Sequence, residues 1–139
     1  MSALSDHLEE KLLDHLFQNT ALSAPATYVA LFTDDPTDAG TGTEVSGGAY
    51  ARKLVNPEGG GSPAWNATAA DAPGYLVDNE HDIVFPTATA SWGTVTHFAI
   101  FDALTSGNLL WHGALDDSKA VGNGDTFKFE AGDLNLRLE

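Results

Sequence analysis

The chain contains no cysteine, which excludes disulfides, thiolate metal sites and cysteine nucleophiles together. Stability is therefore expected from packing, or from neighbouring copies. Basic residues are also scarce: six Lys and Arg stand against twenty Asp and Glu, a formal net charge of −14. Binding to phosphate backbones rests on clustered Lys and Arg that release counterions. Arg52, Lys53, Lys119, Lys128 and Arg137 are scattered along the sequence, so no nucleic-acid partner is expected. No apolar run approaches the roughly 20 residues that span a bilayer, and the amino terminus lacks the basic-then-apolar progression of a signal peptide. A soluble chain made in a cytoplasm, with no membrane partner, is expected. GxSxG, P-loop and HExxH patterns are missing, as are heptads, internal repeats and low-complexity tails.

What is present is a strong β signal. The stretch from Phe85 to Leu115, FPTATASWGTVTHFAIFDALTSGNLLWHGAL, is apolar, aromatic and β-branched, suited to a pleated surface. Turn chemistry from Asp102 to Gly107 divides it into two antiparallel strands, Trp92 to Phe101 and Leu109 to Leu115, with Leu109, Trp111 and Leu115 on one face. Thr27 to Thr33 is almost continuously apolar, as a central strand covered on both faces would be. Phe127 and Phe129 alternate with charged residues, and Leu134, Leu136 and Leu138 with polar ones, which predicts strands with one buried face. Seven or eight short strands between Gly, Pro, Asn and Asp turns indicate an all-β fold, a β-sandwich with the jelly roll as one form.

The 139 residues suit one domain. Within it, one amphipathic N-terminal helix is expected over 6–18, opened by Ser5 or by Asp6 with Glu9 as a capping box. Leu8, Leu12, Leu13, Leu16 and Phe17 fall on one side of it. That stripe either covers the domain or packs on a neighbouring subunit. The sandwich would occupy 27–138, with a Gly/Pro-rich excursion over 56–75 that carries Gly59, Gly60 and Gly61 and stays outside the core. The candidate partner-contact residues are Leu12, Leu16, Phe17, Trp65 and Tyr75.

Enzyme chemistry is weakly supplied. Asp34, Asp35, Asp38 and Glu44 share one loop and invite a calcium reading, but Pro36 and Val45 break the EF-hand spacing, and such residues commonly close local turns. His97 and His112 lie in strands that the hairpin makes neighbours, with Asp102 close in sequence; this is a conceivable acid–base group, and a half-buried hydrogen-bonded histidine is the plain reading. Pairs such as Asp116 with Asp117, or Glu80 with Asp82, have nothing to position them for glycoside hydrolysis. Trp65, Trp92 and Trp111 could stack sugar rings in a carbohydrate-binding module, although Trp92 and Trp111 suit the core. No catalytic residue, cofactor or metal is expected.

The segments KLLDHLF, TYVALFTDDPTDAGTGTEVSGGAYARK, DIVFPTATASWGTVTHFAIFDA and GNLLWHGAL together resemble a family of small tailed-bacteriophage virion proteins labelled phage tail fibre proteins. The resemblance covers Lys11 to Val55 and Asn79 to Leu138, and is weakest over Asn56 to Tyr75. It implies a non-enzymatic structural protein on the virion exterior, assembled in the bacterial host cytoplasm, and carries no active site with it. Small β-sandwich proteins of this kind also serve as capsid decoration or cement proteins. Decoration of the major capsid protein is the favoured expectation, because a chain this short without repeats makes no fibre shaft alone. A tail fibre, tail-tip or collar role beside tail proteins is the alternative, and a homo-oligomer is expected in either case.

Overall fold

A computed structural model describes residues 2–139. Ten strands and one helix follow in order: β1 Ser2–Leu4, α1 Asp6–Phe17, β2 Thr27–Phe32, β3 Lys53–Val55, β4 Ala69–Asp71, β5 Gly74–Asp78, β6 Ile83–Val84, β7 Gly93–Phe101, β8 Leu109–Val121, β9 Lys128–Phe129 and β10 Asn135–Leu138. The antiparallel sheets pack as a sandwich. One layer is a five-stranded sheet in the order β1-β8-β7-β2-β3; facing it are a three-stranded sheet, β10-β5-β4, and the pair β6-β9. The division into five, three and two strands sets the architecture apart from a jelly roll of two equal sheets.

The main core lies between the layers. Val29, Leu31, Val95, Phe98 and Ile100 of the large sheet meet Ile83, Phe85, Phe127, Phe129 and Leu134 of the opposing layer, all buried. Phe127 and Phe129 stand edge to face at 5.1 Å between centroids, a geometry favoured by the ring quadrupoles. Because β2 and β7 are central and pair antiparallel, Val29 beside Ile100 and Leu31 beside Phe98, their alternate residues face outward. Ala30, Phe32, Ala99, Phe101 and Leu109 make a second, smaller core there. The continuous apolar character of Thr27 to Thr33 is thus explained by burial on both faces.

The hairpin β7-β8 departs from simple alternation. Ile100 pairs with Trp111 but Phe101 with Leu109, so a bulge at Leu110 intervenes. One inserted residue turns the following side chains to the other face. Leu109 therefore joins the outer cluster while Leu110 enters the main core and Trp111 and Leu115 pack against it, which corrects the expectation that Leu109, Trp111 and Leu115 share a face. A second shift, between Val95 and His97, leaves Leu115 to Ser118 opposite Thr96 alone. Asp116, Asp117 and Lys119 are exposed along this stretch, and a bulged, charged edge resists pairing with foreign strands. At the hairpin turn, Ser106 and Gly107 adopt φ of 53° and 78°. A Cβ on Gly107 would stand 2.7 Å from that of Ala103, so the turn requires glycine there.

Two further expectations change. The excursion is not wholly outside the core: Ala64 and Trp65 are buried in it and Ala69–Asp71 forms an edge strand. Among residues low in hydrophobicity, one indole and one methyl side chain suffice to pin the loop down. The stripe Leu134, Leu136, Leu138 also fails to bury one face evenly, since Leu134 is buried, Leu136 half-buried and Leu138 exposed.

Candidate interaction surface

The helix begins at a firmly held point. Ser5 is fully buried; its Oγ accepts from the Leu8 amide at 3.2 Å and donates to the Leu109 carbonyl, while its own amide donates to Leu110 O at 3.0 Å. Ser5 is thus an N-cap that also ties α1 to β8, and Asp6 is the first helical residue. Asp6 and Glu9 lie in the first turn and His15 in the last, the arrangement that complements the helix dipole. The far end is equally defined. Gln18 N and Thr20 N both donate to Asp14 O, and Asn19 takes the left-handed φ of 54° that closes the helix.

Between those ends α1 contributes no buried residue. Leu8 packs on the main core and Leu12 is half-buried, but Leu13 and Leu16 are exposed and Phe17 retains 78% of its accessible surface. The stripe therefore splits: its first turn covers the domain and its last turns face solvent. Beside it Leu4, Glu9, Leu12 and Leu13 line an open groove of about 280 Å³.

The other predicted contact residues lie apart from it. Trp65 is only 8% exposed, and its Nε1 donates to Thr27 Oγ1 at 2.9 Å. Its ring is committed to the core, so it offers no stacking face to a sugar or a partner. Tyr75 is 61% exposed and pairs across strands with Leu138, itself exposed, on the three-stranded sheet. Trp92 is buried with its Nε1 on Gly48 O, and Trp111 is half-buried.

The carboxylates of the acidic loop are each taken up by hydrogen bonds within the protein. Asp34 accepts from the Thr43 amide and hydroxyl, Asp35 from the Thr37 amide, and Asp38 from His112 Nε2 at 2.8 Å. Glu44 faces Arg52, whose Nε and Nη2 reach its two oxygens at 2.8 and 2.7 Å. Among the described residues no group of three or more His, Asp or Glu is placed to hold a metal ion. His97 and His112 are on paired strands, opposite Ala114 and Ala99, but Asp102 joins neither. Its carboxylate takes the Asn108 amide and side chain at 2.7 and 2.8 Å. Partial desolvation pushes the Asp102 carboxyl up, and the two Asn108 bonds outweigh it and hold it below its ordinary value.

Sequence reasoning did not find the polar centre built on Arg52. This residue is buried; beyond Glu44 it donates through Nη1 to Ala103 O and Ser106 O, each at 2.8 Å, and its guanidinium sits 3.8 Å from the centre of the Phe101 ring. Tyr50 donates to Glu44 Oε1 at 2.8 Å and accepts from Leu31 N at 3.0 Å. Burial first, and then the Glu44 charge, drive the Tyr50 phenol far above its usual value. The available signal was one Arg in a chain with few cations, close in sequence to an apolar strand. A cleft of about 660 Å³ between β8 and the β9-β10 side is lined by residues that include Asp117, Lys119, Phe129 and Arg137. Its lining carries both signs of charge, Asp116, Asp117, Asp133 and Glu139 with Lys119, Lys128 and Arg137.

Residues 3–137 match the family described as podophage GP4 fiber I protein gp80. The chain belongs to that family, a group of phage virion structural proteins. No curated protein matches it.

Proposed function

We propose that the chain is a non-enzymatic globular unit of the phage tail apparatus, fixed to a fibre or its attachment site on the virion exterior. The observation that carries this reading is the family match over residues 3–137 to a fibre protein. The surface supports adhesion: an ordered helix presents Leu13, Leu16 and Phe17 to solvent, and exposed apolar groups on a folded element mark interaction sites. The strong negative charge repels packaged nucleic acid and suits an outward position. Repeated weak attachment along one particle becomes firm through effective concentration.

Capsid decoration remains a second reading, favoured by a specific observation. A compact two-layer sandwich of 139 residues with no repeat builds no shaft by itself and resembles a bridging unit more than a rod. Immunogold labelling of intact particles separates the two. Label on tails, with impaired adsorption when the protein is missing, supports the tail role. Label spread over heads, with earlier heat rupture of deficient particles, moves the assignment to decoration, and unlabelled particles overturn both.

A further inference from the structure

The exposed face of α1 is acidic in its first turns and apolar in its last. Leu13, Leu16 and Phe17 are exposed, and the groove of Leu4, Glu9, Leu12 and Leu13 runs alongside. On the same face, one to two turns before them, Asp6, Glu9 and Glu10 are exposed, and Asp14 to one side is half-exposed. The helix has one Lys or Arg, Lys11, and it is already 3.8 Å from Asp14. An occupant of this surface must match an apolar stripe and answer the acids before it.

A second copy of the chain answers it poorly. Among the described residues Arg52 is paired with Glu44, Lys128 with Asp82 and Glu130, and Arg137 with Asp71. Among the described residues, Lys53 and Lys119 are the Lys and Arg left without an ion pair, and both lie outside the helix. Two molecules each carrying −14 would bring acid against acid at this face, and like charges across an interface are costly. Size points the same way. A twelve-residue helix is about 18 Å long, and one flat side of it falls short of the roughly 800 Å² per partner of a standard interface. A groove that wraps the helix raises the buried area, as in helix-in-groove recognition.

We propose that the exposed face of α1 seats in an apolar groove, rimmed by Lys and Arg, on a different protein of the virion. This deepens the structural role above and rests on it only for the partner's place in the particle. The surface chemistry stands by itself, so the test uses the purified chain and a defined probe. The probe is a fluorescent amphipathic helical peptide with a leucine stripe flanked by lysines; its control has glutamates in place of the lysines.

Anisotropy titration is expected to show binding of the lysine peptide and at least tenfold weaker binding of the glutamate peptide. The double variant Leu16→Ala, Phe17→Ala should lose about tenfold or more in affinity, the scale of a truncated hot spot, with an unchanged circular dichroism spectrum because both side chains are exposed and alanine favours the helix. Raising sodium chloride should weaken the lysine peptide through screening. Absence of lysine-peptide binding, equal binding of both peptides, or full binding by the double variant overturns the proposal. Sedimentation of the free chain supplies the remaining outcome: a dimer that dissociates in the double variant makes a second copy the occupant and overturns it too. None of these results bears on where immunogold label falls.

Discussion

Replacing Arg52 by Ala removes the group that ties three segments together: Glu44 in the loop after β2, Ala103 and Ser106 in the β7-β8 turn, and Phe101 beneath. The magnitude follows from what stays behind. The Glu44 carboxylate, with 26% of its side chain exposed, loses its countercharge, and two carbonyls lose their donor. Removing one partner of a buried ion pair costs about 3–5 kcal/mol, and partial access of Glu44 to water places this case near the lower end, about 3 kcal/mol. For a domain of this size that lowers Tm by about 10 °C. Arg52→Lys recovers little, because an ammonium cannot span both Glu44 oxygens and both carbonyls at once. Urea unfolding followed by tryptophan fluorescence gives the free energy, and a double-mutant cycle with Glu44→Ala should return a coupling of about 1–3 kcal/mol. A loss below about 1 kcal/mol, or a coupling of zero, would refute the view that this network holds the outer face of the sheet.

Three other outcomes are expected. Tyr50 has a folded-state pKa raised above its ordinary value of about 10, so its contribution is complete below that pH and falls as pH rises beyond it; Tyr50→Phe should cost about 1–3 kcal/mol at pH 7 by orphaning the Leu31 amide and should flatten the alkaline limb of the stability profile. Asn79 is fully buried and bonds His81 O, Glu130 O and Leu134 N, so Asn79→Ala should cost about 2–4 kcal/mol, read by the same urea titration; a shift under 1 kcal/mol would contradict it. With a charge of −14, thermal melts should move upward as sodium chloride is raised from low values, since screening relieves self-repulsion; a flat series would show that the acids are too dispersed to matter.

The parts of the fold that were legible in the sequence are those where one physical rule acted alone. The β7-β8 hairpin and the doubly buried β2 follow from local pattern and turn chemistry, and the helix at 6–17 ends one residue short of the expected 6–18 because Gln18 serves as its C-cap. Strands of two or three residues, such as β6 and β9, carry too few positions for a period to register. The bulge at Leu110 was invisible for a different reason. It depends on a pairing register between strands, and the consecutive apolar Leu109, Leu110 and Trp111 fit either face when β8 is read alone. Trp65 reads as a loop residue because the segment around it consists of glycine, proline, alanine and small polar residues. What buries it is the distant Thr27 hydroxyl and the core beyond.

The same distinction separates the surface from the polar centre. A helical stripe can be read from spacing, but whether it is covered depends on how far the body of the protein extends beneath it. Here β1 and the start of β8 underlie only the first turns, through Ser5 on Leu109 and Leu110, and the helix runs on past its support. Placing Leu16 and Phe17 there exposes apolar surface on a well-capped element. At roughly 25 cal/mol per Å², burying two such side chains against a partner is worth several kcal/mol before the costs of association. A monomer gains nothing from leaving them in water, whereas a virion subunit that must remain dispersed until it meets its site gains an adhesive face guarded by its own acids. On the docking proposed above, acids and stripe act together: charge would keep copies apart, and the apolar row would hold a surface of opposite charge.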